Sequence, residues 1–133
     1  MRYGADTWFL LSLWDADAHS ATLIQNVRNG KDQLCIPVPA FSETIKKLMQ
    51  RGIKEEKIET FWTDLAASEK IRIVPLDRVT AKEAARISIT YGVPLVDAFI
   101  AATAKLSGCD ALLSADADMA TLARKKYLAV KSW

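Results

Sequence analysis

Residues that build nitrogen and sulfur metal sites or disulfide frameworks are scarce in this sequence. It has one histidine, His19, and two cysteines, Cys35 and Cys109, which lie far apart in the chain and form no CxxC pair. Zinc fingers and a disulfide framework are therefore excluded. We expect both thiols to be buried in a reducing compartment, and His19 to be an ordinary helix residue rather than a catalytic base.

Long apolar runs are also lacking. The longest stretches without a charged residue, such as 33–42 and 87–96, fall short of the roughly 18 apolar residues that a membrane span requires. The apolar run 7–14 is bracketed by Asp6 and Asp15, and no small-residue cleavage site follows it, so it does not fit a signal peptide. We expect no membrane partner and a cytoplasmic location.

Net charge of either sign is small. The formal charge is +2 at pH 7, and 26% of the residues are charged while 50% are hydrophobic. A balance this mild neither indicates nor excludes nucleic-acid binding, which local patches would decide. The 133 residues contain no repeat or linker, and they predict a single domain spanning 1–133.

Short apolar segments alternate with segments of helical periodicity. The predicted strands are 1–6, 33–38, 71–76, 111–114 and 128–132. The predicted helices are 7–14, a second one capped by Asp15 or Asp17 and ending near 28, 40–51, 54–68, 80–91 with Thr80 as its N-cap, 94–106 and 119–125. This order predicts an α/β fold, a three-layer α/β/α sandwich with a mainly parallel central sheet. Ligands of such sheets bind at the carboxyl ends of the strands.

Four of the sixteen acidic residues stand among apolar neighbours at that edge of the predicted sheet. Asp6 ends the first strand, Asp116 follows the strand 111–114, Asp97 opens a helix, and Glu43 lies on the helix after the second strand. At roughly 5 Å and an effective dielectric constant near 20, each pair of ionised carboxylates would cost on the order of 3 kcal/mol. A divalent cation removes that repulsion, and oxygen ligands without histidine or cysteine favour Mg²⁺ or Mn²⁺.

Each of the four acids also has an ordinary structural explanation. Asp6 and Asp116 could cap helices, and the helix macrodipole favours an acid such as Asp97 in a first turn. Glu43 could form an ion pair with a lysine three or four residues further along the same helix. Taken together, these explanations compete poorly with a shared site, because all four acids fall at one edge of one predicted sheet.

The same acids stand in four short motifs: Asp6-Thr7, Ser42-Glu43, Leu95-Val96-Asp97-Ala98 and Ser114-Ala115-Asp116. In their order and spacing, these motifs resemble those of the PIN domain (PilT N-terminal) nucleases, particularly the VapC-type toxins. The resemblance covers nearly the whole chain. The sequence departs from the family at Trp8, where asparagine or serine is frequent, and at Met119, where an aromatic residue is common.

The resemblance implies a Mg²⁺- or Mn²⁺-dependent endoribonuclease that hydrolyses RNA phosphodiester bonds. It further implies the toxin of a toxin–antitoxin pair, acting as a homodimer with an antitoxin protein as partner. Asp6 and Asp97 would be the principal metal ligands, with Asp116 and Glu43 as further ligands, and all four would be catalytic. One of them would also orient the attacking water.

Other residues beside the motifs receive supporting roles. Thr7 and Ser114 would hold carboxylates or a phosphate through hydroxyl hydrogen bonds. Lys46 and Lys47 follow Glu43 on one helix and would contact RNA phosphates, unless they simply form a solvated face. Asp118 is expected to be a solvated turn residue rather than an outer ligand.

Other functions compete with the toxin hypothesis. A PIN nuclease of RNA processing would need no antitoxin, and a catalytically silent PIN scaffold would only bind RNA or protein, although retention of all four acids argues against the scaffold. A receiver-like signalling domain needs an acidic pair near the first strand and a lysine late in the sheet, and neither is present. A phosphoaspartyl hydrolase needs an aspartate where Trp8 stands.

Overall fold

Short apolar segments bounded by turn residues form the strands of the protein. The computed structural model describes all of residues 1–133. Its five strands are β1 (Arg2–Ala5), β2 (Gln33–Pro37), β3 (Ile71–Val74), β4 (Ala111–Leu113) and β5 (Val130–Lys131). They form one parallel sheet in the order β3-β2-β1-β4-β5. The strand order reverses at β1, so the carboxyl ends of β1 and β4 border the crevice in which such sheets bind ligands.

Seven helices connect the strands. They are α1 (Thr7–Trp14), α2 (Ala18–Arg28), α3 (Val38–Gln50), α4 (Glu55–Ala66), α5 (Arg78–Tyr91), α6 (Leu95–Leu106) and α7 (Ala117–Arg124). Four of these helices begin after an aspartate whose carboxylate accepts a hydrogen bond from a backbone N–H of the first turn. Such caps satisfy donors that have no partner inside the helix.

The helices lie on both faces of the sheet. Parallel strands are joined by right-handed crossovers, which place α1 to α4 on one face and α5 to α7 on the other. One continuous core of thirty buried side chains fills the space between the layers. The predicted α/β sandwich with a parallel central sheet is therefore confirmed.

Several predicted element ends differ from the observed ones by one or two residues, and two of these errors have a visible cause. Thr80 does not cap α5: Asp77 does so, because its Oδ1 accepts a hydrogen bond from the Thr80 backbone N–H at 2.8 Å, and Thr80 is buried inside the first turn. The last strand is shorter than the predicted segment 128–132, since Leu128 is buried in the connection that precedes β5. Both errors concern local hydrogen bonding at an element's end, where sequence patterns carry little information.

A close approach between β1 and α6 requires glycine at position 4. A β-carbon added to Gly4 would lie 2.8 Å from Cβ of Ala104 and 3.3 Å from Cδ1 of Leu112. We expect Gly4→Ala to lower the free energy of unfolding by about 1–3 kcal/mol, the usual cost of overpacking, as measured by urea denaturation. The double variant Gly4→Ala/Ala104→Gly removes the clashing atom, so its loss should be smaller than the sum of the two single losses. Additive losses would contradict this explanation.

The two cysteines, distant in sequence, approach each other across this glycine. The register pairs Gly4 with Cys35, and Sγ of Cys109 lies 3.6 Å from the position of a β-carbon at Gly4. Both thiols are free, and while Cys35 is buried as expected, Cys109 is only half-buried. The Cys109 thiol hydrogen-bonds the Cys35 sulfur and lowers the pKa of Cys35 to about 7.

No single helix is both long and apolar enough to cross a membrane. Only α5 and α6 taken together reach that length and hydropathy, and they are bent by 119° at the break between them. Half of the twelve residues of α6 are buried in the core of the domain.

Candidate active site

Asp6 is buried where β1 ends and α1 begins. Its side chain is only 5% exposed. One carboxylate oxygen accepts a hydrogen bond from the Thr7 backbone N–H at 2.8 Å, and the other accepts one from the Ser114 hydroxyl at 2.5 Å. Ser114 follows β4 directly, so this hydrogen bond joins the carboxyl ends of the two strands at which the strand order reverses.

Three further aspartates converge at the same edge. Asp116 caps α7, with Oδ1 accepting the Asp118 backbone N–H at 2.8 Å, while the Asp116 backbone N–H donates to the Ser114 hydroxyl oxygen at 3.0 Å. Asp97 lies in the first turn of α6. One carboxylate oxygen from each of Asp97, Asp116 and Asp118 lies within 4.8 Å of the other two. We call these three residues the aspartate trio.

Glu43 reaches this edge from α3. Its Oε1 accepts a hydrogen bond from the Thr7 hydroxyl at 2.8 Å, and its side chain is partly buried. The ion pairs of the protein do not include Glu43, so the surface pair with Lys46 or Lys47, considered as an alternative above, does not form. Thr7 therefore links Glu43 to Asp6 through one residue that uses both its N–H and its hydroxyl.

The electrostatics of Asp97 show how closely these carboxylates gather. Partial burial of Asp97, followed by the negative charges of Asp116, Asp6, Asp118 and Glu43, raises the pKa of its carboxyl from the ordinary 3.8 to about 7. A carboxyl is shifted upward when its charged form loses water and faces other anions. All five acids therefore belong to one electrostatic cluster, although the oxygens of Asp6 and Glu43 are not part of the aspartate trio.

Asp6 is shifted in the same direction. Burial raises the pKa of its carboxyl, and the charges of Asp116 and Glu43 raise it further. The hydrogen bonds from Ser114 and Thr7 oppose this shift, because they stabilise the ionised form. Asp6 is thus held in place by two donors in surroundings that are unfavourable for its charge.

The donor set fits a hard divalent cation. It offers carboxylate oxygens, with no histidine or cysteine, which is the chemistry that Mg²⁺ and Mn²⁺ prefer. A cation among these oxygens would also offset the repulsion that, together with burial, raises the pKa of Asp97. Perturbed acids that share one crevice are typical of functional sites.

One residue not expected at the site belongs to the cluster, and three other residues lie outside it. Asp118, expected to be a solvated turn residue, is half-buried and belongs to the aspartate trio; its position two residues after Asp116 in the first turn of α7 was the available signal. Lys46 and Lys47 are exposed on α3. His19 is exposed on α2 and contributes no atom to the cluster.

The chain is similar to one protein family and to several solved structures. The PIN domain family model matches residues 5–125. The structure of VapBC2 from Rickettsia felis bound to a promoter DNA fragment is similar, with a TM-score of 0.73 and 13% identity, covering 100% of this chain and 99% of that chain. Mycobacterium tuberculosis VapC20, described as a sarcin-ricin loop cleaving toxin, has a TM-score of 0.68 at 18% identity and covers 89% and 92%. VapBC-1 from nontypeable Haemophilus influenzae has a TM-score of 0.66 at 16% identity and covers 100% and 98%.

Identities this low indicate a common fold and no more. No curated protein matches the sequence. The family is therefore established by the match over residues 5–125.

Proposed function

This chain belongs to the PIN domain family, and from that premise we propose that it is a divalent-metal-dependent endoribonuclease. The observation that carries the proposal is the gathering of five carboxylates at one edge of the sheet, where burial and then the charges of the other four raise the pKa of Asp97 to about 7. Asp6, Glu43, Asp97 and Asp116 would be the catalytic and metal-binding residues, and Asp118 joins them because of its place in the aspartate trio.

The positions and hydrogen bonds of these residues indicate which would hold the cation and which orient the carboxylates. Asp97, Asp116 and Asp118 present oxygens close enough together to hold one cation, Mg²⁺ or Mn²⁺. Such a cation, when bound, lowers the pKa of a coordinated water and neutralises charge that develops on the phosphate. Ser114 and Thr7 orient Asp6, and Thr7 also orients Glu43.

Glu43 is suited to orient the attacking water. Only its Oε1 is engaged by the protein, which leaves Oε2 free to accept a hydrogen bond from water. A carboxylate in this role must be within hydrogen-bond reach of the proton it accepts. We therefore assign the orientation of the water to Glu43, which would bind the cation through that water, and direct binding of the cation to the aspartates.

The proposal is tested with purified protein and an end-labelled single-stranded RNA. Internal fragments should form with Mg²⁺ or Mn²⁺ and should not form with EDTA. A DNA strand of the same sequence serves as the matched substrate, and cleavage of RNA alone supports the ribonuclease assignment. Protein that binds RNA but leaves it intact with either metal would support the alternative of a silent scaffold.

We also propose that the protein is the toxin of a toxin–antitoxin pair. Support comes from the neighbours of similar fold, whose descriptions name toxins and VapBC pairs. A short upstream gene for a small DNA-binding protein, whose product inhibits cleavage, is the expected finding. If the gene has no such neighbour, RNA processing without an antitoxin becomes the preferred role.

A homodimer is the proposed assembly. Three exposed apolar side chains near the junction of α5 and α6 support it: Ile89 in the last turn of α5 is 87% exposed, and Leu95 and Val96 at the start of α6 are 51% and 47% exposed. Burying such side chains against a second copy would remove them from water. Light scattering should give twice the 14.7 kDa of the chain, and a mass of one chain would contradict the assembly.

Lys46 and Lys47 are the proposed contacts to RNA phosphates. Both are exposed on α3, one turn beyond Glu43. We expect the double variant Lys46→Ala/Lys47→Ala to bind RNA more weakly at all sequences, and the slope of log affinity against log salt to fall by about 1–2. Fluorescence anisotropy across a salt series measures this slope. Lys57→Ala, an exposed lysine on α4, is the matched control; an equal change in that variant would mean that only net charge matters.

A further inference from the structure

A cleft of about 400 Å³ lies between α2 and β5. Its walls include the rings of Tyr3, His19 and Trp133 and the ammonium group of Lys131. A volume of this size is in the range of small-ligand sites. None of the residues proposed to bind metal or RNA lines this cleft.

The aromatic wall of the cleft is held rigidly. The indole N–H of Trp133 donates to Oδ2 of Asp17 at 2.8 Å, and the ring packs on Trp8 and Phe9 at centroid distances of 5.2 and 6.0 Å. The His19 ring stacks on Trp133 at 5.8 Å with an angle of 27° between the planes. Asp17 is the N-cap of α2, so the ring is tied to the start of a helix. A pre-ordered ring costs less conformational entropy when a ligand binds to it.

The cleft is connected to the carboxylates through two short links. Trp8, which packs on Trp133, is the second residue after Asp6 and lies in the first turn of α1. On the other side, the backbone N–H of Ser114 donates to the carbonyl of Lys131 at 3.0 Å, and the Ser114 hydroxyl holds Asp6. Both links connect the aromatic wall to Asp6 through residues that are in direct contact with one another or adjacent in the chain.

We propose that this cleft binds a nucleobase of the single-stranded RNA next to the phosphate that is cleaved. The inference rests on the proposed function, since the carboxylates define where the phosphate lies. Every base has a flat face that stacks on aromatic rings, and proteins that bind single strands combine such rings with cationic side chains. Trp133 and His19 supply the rings, and Lys131 supplies a cation for the adjoining phosphate.

Trp8 takes part in this arrangement as the residue that joins the two sites. In the PIN domain nucleases that the sequence resembles, asparagine or serine is frequent at this position. Here the large ring of Trp8 packs on Trp133 instead. The subsite is therefore a feature of this chain's own residues. Stacking does not distinguish strongly among bases, so the cleft favours single strands over duplexes more than one base over another.

The test compares RNA strands that carry one abasic nucleotide at successive positions. Binding is measured by fluorescence anisotropy with EDTA, so that no strand is cleaved. For the unmodified protein, one position should lower the affinity about 10-fold when its base is absent, the loss of one base–aromatic stack. In Trp133→Leu, which keeps an apolar side chain against Phe9, removing the base at that position should no longer lower the affinity. Trp133→Phe should restore much of the effect, because a ring is again present.

Trp14→Leu is the matched control, because Trp14 is also half-buried but packs on Phe61, away from the cleft. It should respond to the abasic series as the unmodified protein does. Thermal denaturation of each variant checks that it is folded. The abasic series is also measured in His19→Ala, because His19 is exposed and its replacement does not put folding at risk. An equal abasic effect in Trp133→Leu and the unmodified protein, or no abasic effect at any position, would overturn the inference.

Cleavage measured separately with Mg²⁺ keeps the two proposals apart. If RNA is cleaved while no abasic position matters, the base subsite is wrong and the nuclease stands. If an abasic position matters only when Trp133 is present and yet no RNA is cleaved, the cleft binds a base but the nuclease is wrong, and with it the position of that base beside a cleaved phosphate.

Discussion

Asp97→Asn is expected to abolish RNA cleavage and, without metal, to make the folded protein more stable. The activity loss should be at least about 100-fold, because even residues that only support a metal ligand cost 10- to 100-fold when replaced. Stability should change in the opposite direction, since the carboxylate of Asp97 is charged among four other acids and the asparagine is neutral. Sites that are built for function often lower stability in this way.

The two effects are measured on the same preparation. Cleavage rates are compared with Mg²⁺, and melting temperatures are compared with EDTA at pH 8, above the pKa of about 7 of Asp97. Asp64→Asn, an exposed aspartate on α4, is the control and should change neither quantity appreciably. Asp97→Asn protein with full activity would remove Asp97 from the catalytic residues. A lower melting temperature at pH 8 would show that Asp97 is not strained by its acidic neighbours.

Divalent metal is expected to stabilise the protein far more at pH 8 than at pH 4. The pKa of Asp97 is about 7 in the folded protein and 3.8 when unperturbed, so the folded state binds this proton more tightly. In the absence of metal, the stability that protonation of Asp97 contributes to the folded state is fully present below about pH 4. It is lost as the pH rises to about 7. Metal competes with the proton for the same oxygens, so its benefit grows across that window.

At a metal concentration of 100 times the dissociation constant, binding adds about 2.7 kcal/mol, which corresponds to roughly 10 °C in melting temperature for a domain of this size. Thermal scans with Mn²⁺ and with EDTA at several pH values measure it. The Asp97→Asn/Asp116→Asn variant removes two of the aspartate trio and should show no response to metal. A response that is equal in this variant and in the unmodified protein would place the metal elsewhere.

Much of the architecture could be predicted because its causes are local. The helix 7–14 was predicted at its observed bounds, since an apolar helical run lies between Asp6 and Asp15. The parallel sheet followed from short apolar strands separated by helices. The wrong N-cap of α5 shows the limit: both Asp77 and Thr80 are good caps by residue type, and only the hydrogen bond between them decides which one acts.

The candidate site was predictable to a lesser extent. Apolar neighbours distinguished Asp6, Glu43, Asp97 and Asp116 from other acids, because carboxylates are rarely placed in such surroundings without a partner. Asp118 stands between Ala117 and Met119, neighbours as apolar as those of Asp116, and yet from the sequence it is expected to be a solvated turn residue. Its place beside Asp97 depends on how α6 and α7 meet, which no local pattern records.

The sequence by itself determined the strands, the helices and the acids that stand at the ends of strands, because periodicity, capping and burial are written within a few neighbouring residues. Tertiary structure alone decided which distant residues touch: Asp118 with Asp97, Cys35 with Cys109 across Gly4, and Trp133 with Trp8. These contacts depend on the order β3-β2-β1-β4-β5 and on the packing of helices across it. That order is selected by the burial of the whole core at once, so short segments of sequence do not specify it.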